Sequence, residues 1–360
     1  MNKSVIVFLL SMLVIFFVTS ASHSCTAFSI KKGDIIFYGE NYDWHVKEGL
    51  IVVNKRGVKK SPQVFGAGDQ ITATWISKYG SVTFNTLGRE YFHGGMNTKG
   101  LLVTGLILRG SQYPQVDSRG AVSHAQYKQY LLDNCSTIEE VMAVQSKIRI
   151  YARNQNYPIH FFIADATGQC AVIEFLNGKR VVHKGDNLPT NILSNSEYDL
   201  ALDYLKEHRG FGGEKNVSQD RTNSLDRFVR ACTMVQSYPS NPSTEPVDYG
   251  FEILSSVAQG DRTVWRIIYD VSNMRIYFRT LLNTELQYID MKSFNFSCDT
   301  PSLVLDLTNT LTGDVTPHFE EYTQEVNQEF IMRMADTYNL RGKILNALVT
   351  HVYGLSCAQK

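Results

Sequence analysis

The chain opens with a hydrophobic block: Val5 to Val18 reads VIVFLLSMLVIFFV, preceded by Lys3 and followed by Thr19, Ser20, Ala21, Ser22, His23 and Ser24. The order positive, apolar, small-and-polar is that of a secretory signal. The apolar run is shorter than the roughly 20 residues that a membrane span needs. Ser22 and Ser24 occupy the two positions a signal peptidase reads before a cut after Ser24. This predicts a leader over 1–24, a secreted or periplasmic product, and one domain over 25–360. An uncleaved anchor and a lipid-modified Cys25 are the other two readings. The second ranks lower because Ser22 stands where lipoprotein signals place an aliphatic residue.

Beyond the leader the period changes. Cys25–Ile30 alternates, Lys31-Lys32-Gly33-Asp34 marks a turn, and Ile35–Gly39 returns, which predicts a hairpin. Further strands are predicted at Ile51–Asn54, Ile71–Ile76, Ser81–Asn85 and Leu101–Leu108, with a turn cluster over Gly94–Gly100. Helices follow at Ser123–Asn134 and Ile138–Ile148, the latter capped by Ser136/Thr137 ahead of Glu139 and Glu140. Strands resume at His160–Ala164, Cys170–Phe175, Arg180–His183 and Asn191–Leu193. A helix is predicted over Glu197–His208, and another from a Ser224 cap to Gln236. Between them Phe211–Arg221 reads as an exposed loop. Pro239–Pro246 reads as a surface excursion, Phe251–Val257 as helix, Thr263–Tyr269 and Arg275–Thr280 as a hairpin, and Gln287–Asp290 as a strand. Residues 318–354 form a charged helical region broken near Asn339–Gly342. Strand pairs, helices and strand pairs in that order argue for α+β with antiparallel sheets, against a doubly wound parallel sheet.

Composition adds exclusions. Lys and Arg number 35 and Asp and Glu 35, so nothing points to nucleic acid or an acidic membrane surface. The abundant aromatics, 19 Tyr and 19 Phe, allow a large core and an apolar or aromatic substrate. Six Cys are widely spaced, with no C-x-x-C pair and no Cys/His cluster, so no metal site is expected. Export permits disulfides. If Cys25 is a nucleophile, at least one of the other five is unpaired, and single buried thiols are the simplest reading for all five.

A Cys exposed at a new N-terminus carries two reactive groups. Its thiol can attack a carbonyl carbon, and its free α-amine, with a pKa of about 7.7–8.0, can take the thiol proton. Around this residue the chain resembles a known family. Cys25-Thr26-Ala27-Phe28 and Gly39-Glu40-Asn41-Tyr42-Asp43-Trp44 resemble the choloylglycine hydrolases, which include bile salt hydrolases and penicillin V acylases and belong to the N-terminal nucleophile hydrolases. Gly95-Met96-Asn97-Thr98-Lys99-Gly100-Leu101, Leu193-Ser194-Asn195-Ser196, Asp226-Arg227-Phe228-Val229-Arg230 and Thr263-Val264-Trp265 through Asn283 continue the resemblance in order.

The resemblance implies a four-layer αββα sandwich of two antiparallel sheets covered by helices. It implies Cys25 as nucleophile and, through its amine, as base; Asp43 holding that amine; Asn195 donating to the oxyanion; and Arg227 near the sulfur, favouring thiolate. Two positions depart from the pattern. Bile salt hydrolases commonly carry Arg where this chain has Glu40, an acid that opposes thiolate formation unless it points away or pairs with Arg227 or Arg230. A G-L-N-F-P-like segment, whose backbone N–H is the second oxyanion donor in many relatives, is here Gly105-Leu106-Ile107-Leu108-Arg109. Trp44 and Ile107 then suggest a greasy acyl pocket for substrate binding.

The expectation is a secreted hydrolase of linear amide C–N bonds. It would work through an acyl-thioester, without metal or organic cofactor, on N-acyl substrates such as penicillin V, conjugated bile salts or acyl homoserine lactones. The partner is a small-molecule amide; no nucleic acid and no stable membrane insertion after processing are expected, and the resemblance implies a homotetramer. The alternatives are an acyltransferase or ceramidase-like amidase of the same superfamily, or a secreted binding protein that has lost catalysis.

Overall fold

The predicted hairpin comes first: strands Thr26–Lys32 and Ile35–Asp43 pair antiparallel, with Lys32 opposite Ile35. Only two residues join them, and Gly33 takes the left-handed turn conformation at φ +59°. The structure is a computed structural model describing residues 25–61, 71–151, 157–238, 245–350 and 355–358. The leader predicted over 1–24 lies outside the described residues, as do most of the proline-rich stretch and 351–354.

Among the described residues two large sheets dominate. One has seven strands in the spatial order Ile192–Leu193, Thr26–Lys32, Ile35–Asp43, Thr263–Asp270, Arg275–Thr280, Gln287–Asp290 and Gly313–Asp314. The other has nine: Lys179–Lys184, Cys170–Leu176, Ile159–Ala164, Leu102–Ile107, Phe92–Asn97, Ser81–Asn85, Leu50–Asn54, Leu303–Asp306 and Glu320–Glu321. Pairing is antiparallel throughout both, except for the parallel contact of Gln287–Asp290 with Gly313–Asp314. The sheets meet through large side chains: Phe84 of the second packs against Trp265, Tyr269 and Phe278 of the first.

Helices α1 (Tyr127–Asn134) and α2 (Ile138–Val144) belong to the nine-stranded side, α1 touching Leu102–Ile107 and Phe92–Asn97. Helices α3 (Tyr198–Lys206), α4 (Ser224–Gln236) and α5 (Pro246–Ser256) cover the seven-stranded sheet, α5 lying on Ile35–Asp43 and Thr263–Asp270. This is the expected α+β sandwich. Two more helices, α6 (Gln324–Ala335) and α7 (Gly342–Thr350), follow the last strands, and their buried faces join the main hydrophobic cluster. Among the described residues no helix is long and apolar enough to cross a membrane.

Several boundaries move for identifiable reasons. Gly94–Asn97 is strand, not turn, because Gly95 packs against Thr83 where a side chain would clash; the turn itself is Thr98–Gly100. The first predicted helix starts at Tyr127, since Gly120–Ser123 pairs in parallel with Ile148–Tyr151. That pairing also ends α2 at Val144, while its cap is as predicted: Thr137 accepts from Glu140 N–H. At α4 the cap is Asn223, which accepts from Leu225 N–H, and Ser224 is the first helical residue. Cys298 and Cys357 form a disulfide instead of staying single, because the fold brings residues 59 apart in sequence together. Cys135, Cys170 and Cys232 are free and buried, as expected.

Candidate active site

Cys25 stands immediately before the first strand, whose next residue, Thr26, faces Asn41. This register places Cys25 beside the far end of the neighbouring strand, where Tyr42 and Asp43 lie. The thiol is 3% exposed. Burial pushes its pKa well up, and the Asp43 carboxyl pushes the same way, while a backbone hydrogen bond from Asp43 and the charge of Arg227 pull down. Arg227 acts in the expected direction, but desolvation outweighs it. Burial therefore favours the neutral thiol.

Asp43 is itself buried. Thr263 Oγ1 donates to Asp43 Oδ1 at 2.5 Å, while Oδ2 has no hydrogen-bond partner. Burial raises its pKa to about 7, against the Thr263 hydrogen bond and the charges of Arg227 and Arg266. A buried carboxyl oxygen without a partner is costly and marks a place for a donor next to residue 25.

Arg227 ties distant pieces of sequence together. It projects from α4, has no solvent exposure, and donates to Thr26 Oγ1 at 3.3 Å and to Asn195 Oδ1 at 3.1 Å. It also donates to the carbonyls of Arg221 and Thr222, both at 3.1 Å. Asp226 does not neutralise it; that carboxyl accepts from Tyr204 instead. Asn195 is fixed from both ends, since its Nδ2 donates to Ile107 O at 2.8 Å. One of the two amide hydrogens of Asn195 is thereby used. Asn195 lies in the turn before α3, and that turn is anchored by Glu174, which accepts from Tyr198 N–H at 3.1 Å and contacts His160 and His183. Burial alone would raise the pKa of Glu174; the hydrogen bonds from both histidines win and hold it at about 2.

Cys25 also lines a cavity of about 320 Å³, together with Trp44 and Ile107. Tyr42, Tyr91, Phe92, Tyr157 and Tyr338 add rings to its wall. Asp43 and Arg227 are not part of that wall but are buried and act on the Cys25 thiol through their charges, while Asn195 is partly exposed and lines a separate pocket of about 340 Å³ together with Ile107. A further cavity, about 490 Å³ between α3 and α4, holds none of the predicted residues.

Three polar groups in the wall were not anticipated from sequence: His93, His124 and Lys128. Burial, with Lys128 adding to it, holds His93 well below the ordinary imidazole value and brings His124 to about 4. Burial likewise brings Lys128 to about 7, and its ammonium donates to the carbonyls of Phe92 and His93. Glu40 lies beneath them. It pairs with neither Arg227 nor Arg230. Tyr269 OH donates to Glu40 Oε1 at 2.6 Å, and His93 Nε2 lies 3.3 Å from Oε2. Gly94 makes this possible, since a Cβ there would overlap the carboxylate. Burial raises the Glu40 pKa to about 7.

Cys25 thus precedes a strand, with Asp43 and Arg227 acting on its thiol, Arg227 bonded to Asn195, and an aromatic cavity beside it. Residues 25–306 match the family described as linear amide C–N hydrolases, choloylglycine hydrolase family. The chain belongs to the choloylglycine hydrolase family. A penicillin V acylase from Pectobacterium atrosepticum is 27% identical over 303 residues, covering 71% of this chain and 79% of that one. The structure of a penicillin V acylase from Agrobacterium tumefaciens superposes with a TM-score of 0.71 at 26% identity, over 83% of this chain and 98% of that one. A variant of the conjugated bile acid hydrolase from Clostridium perfringens shares the fold, with a TM-score of 0.64 at 18% identity over 83% and 97% of the two chains. This choloylglycine hydrolase family member is thus an amidohydrolase acting on linear amides.

Proposed function

We propose that export removes residues 1–24 and leaves Cys25 as the N-terminal residue of a secreted N-acyl amide hydrolase. The observation that carries this reading is the orphaned Asp43 Oδ2 beside a buried, neutral thiol. A free α-amine at residue 25 supplies what both lack. As an ammonium it donates to Asp43; as an amine it takes the thiol proton.

The reaction follows from these positions. The Cys25 sulfur adds to the amide carbonyl as its proton passes to the α-amine. Asn195 Nδ2 donates to the tetrahedral oxyanion, and the backbone N–H of Ile107 is the second candidate donor. The α-ammonium returns the proton to the leaving amine, and the acyl group stays on sulfur as a thioester. Water, deprotonated by the same amine, then releases the acid. Arg227 holds Asn195 and the strand that begins at Thr26 in register.

The acyl group occupies the aromatic cavity. About 320 Å³ is at the small end of the roughly 300–1,000 Å³ range of ligand pockets. That favours a single-ring acyl group such as phenoxyacetyl, or a short fatty acyl group, over a steroid. Penicillin V and short acyl homoserine lactones are therefore ranked ahead of conjugated bile salts. A panel of penicillin V, glycine- and taurine-conjugated bile salts, and acyl homoserine lactones tests this. Hydrolysis of the first or last class is the expected result; turnover of bile salts alone would overturn the ranking.

A further inference from the structure

The cavity is not built from the family's shared stretch alone. That stretch ends at residue 306, and two wall residues, Tyr338 and Leu340, come from beyond it. We propose that the turn between α6 and α7 selects the acyl group, with Tyr338 and Leu340 closing the cavity to chains longer than one ring or its aliphatic equivalent. This rests on the reading that the cavity receives the acyl part of an amide.

The turn is constructed, not loosely draped. Tyr338 OH accepts from Trp44 Nε1 at 3.1 Å and is hydrogen-bonded to the Tyr42 hydroxyl. It therefore grips the two aromatic residues on either side of Asp43 in sequence, and both of these line the cavity. Asn339 takes the left-handed conformation at φ +50°, which Asn tolerates better than most residues. Leu340 N–H then reaches back to Ala335 O at 2.8 Å. The Arg341 guanidinium clamps the same turn through Asp336 Oδ1 at 2.9 Å and the carbonyls of Ala335 and Leu340.

The helices that carry the turn are fastened to the body. Arg333 of α6 pairs with Asp306 at 2.5 Å. A Cβ on Gly88 would come within 2.9 Å of Ile331, so α6 lies directly against the segment that contributes Thr86, Leu87 and Tyr91 to the wall. Asn327 Nδ2 donates to Leu348 O and Val349 O at 3.0 and 2.9 Å, holding α7 to α6. Beyond α7, the Cys298–Cys357 disulfide returns the chain to the strand Val58–Lys60. Tyr338 and Leu340 are uncharged, so this wall discriminates by volume and shape. A pocket that gains or loses the space of a few methylenes changes preference by roughly tenfold or more.

The test compares phenoxyacetyl and decanoyl amides of one amine, with the full exported protein and the variants Tyr338→Ala, Leu340→Ala, Tyr338→Phe and Leu340→Trp. The kcat/KM ratio of decanoyl to phenoxyacetyl should rise roughly tenfold in the two alanine variants and fall in Leu340→Trp. It should stay within about twofold in Tyr338→Phe, which keeps the ring. Calorimetric binding of phenoxyacetate and decanoate gives the same comparison without turnover. If the parent cleaves neither amide but the acids bind with the shifted ratio, the amidase reading fails and the wall assignment stands. If folded variants, by circular dichroism, leave both ratios unchanged or weaken both ligands in parallel, the wall assignment is wrong.

Discussion

Two surroundings meet at Cys25, and they are built differently. The polar one consists of Asp43, Arg227 and Asn195. Asp43 and Arg227 in it are buried and Asn195 is partly exposed; it is ordered by hydrogen bonds of 2.5–3.3 Å and carried by strand ends, the turn before α3 and one helix of the family's shared stretch. The other is the aromatic cavity, whose wall draws on segments from Tyr42 to Leu340. In the polar surroundings each side chain has a fixed partner, so the loss of one is felt directly in the chemistry. In the cavity many contacts share the work, so substitutions change which substrate is used before they change whether the reaction occurs. On the proposed function, the bond broken and the molecule carrying it are specified by different parts of the chain.

Removing the group that both surroundings share has the largest effect. Cys25→Ala should lower kcat by roughly a thousandfold or more, because the proposed nucleophile and base act as a unit; steady-state kinetics on an amide substrate measure this. Asn195→Ala comes next. It removes the proposed oxyanion donor and should cost roughly 100- to 1000-fold in kcat with KM changed far less. A loss confined to KM would move Asn195 from the polar surroundings to substrate binding.

The smallest effect is expected at Glu40, which lies under the cavity and is read through stability. Its pKa in the fold is about 7 against an ordinary 4.5, raised by burial. A raised carboxyl stabilises the fold fully below its unfolded pKa, and this contribution is lost as pH rises through the folded value. Glu40→Gln should therefore melt at the same temperature as the parent near pH 4 and about 3 °C higher at pH 8. Scanning calorimetry at the two pH values decides this. A variant less stable than the parent at pH 8 would mean that the ionised carboxylate is a net stabiliser, through Tyr269 and Lys128.

The polar surroundings were largely legible in the sequence. Cys25, Asp43, Asn195 and Arg227 each lie in a short ordered motif, and the hairpin between Cys25 and Asp43 follows from alternation and a Gly-containing turn. Their joining was not legible from spacing, because Arg227 reaches Thr26 across 201 residues and Asn195 across 32. The cavity was half legible: Trp44 and Ile107 are in its wall, but Tyr338 and Leu340 read only as a break in a helical region. His93 and Lys128 gave no sequence signal beyond the glycines next to His93, which leave room for Glu40. The Cys298–Cys357 bond likewise depends on tertiary proximity that no local pattern encodes.

The central claim is that Cys25, freed at the N-terminus, carries the acyl group during turnover. Acid-quenching the exported enzyme during hydrolysis of a phenoxyacetyl amide, followed by peptide-mapping mass spectrometry, tests it most directly. The account predicts a peptide beginning at Cys25 that carries the phenoxyacetyl group as a hydroxylamine-labile thioester. An acyl group on another residue, or full activity in a protein still carrying residues 1–24, would contradict it.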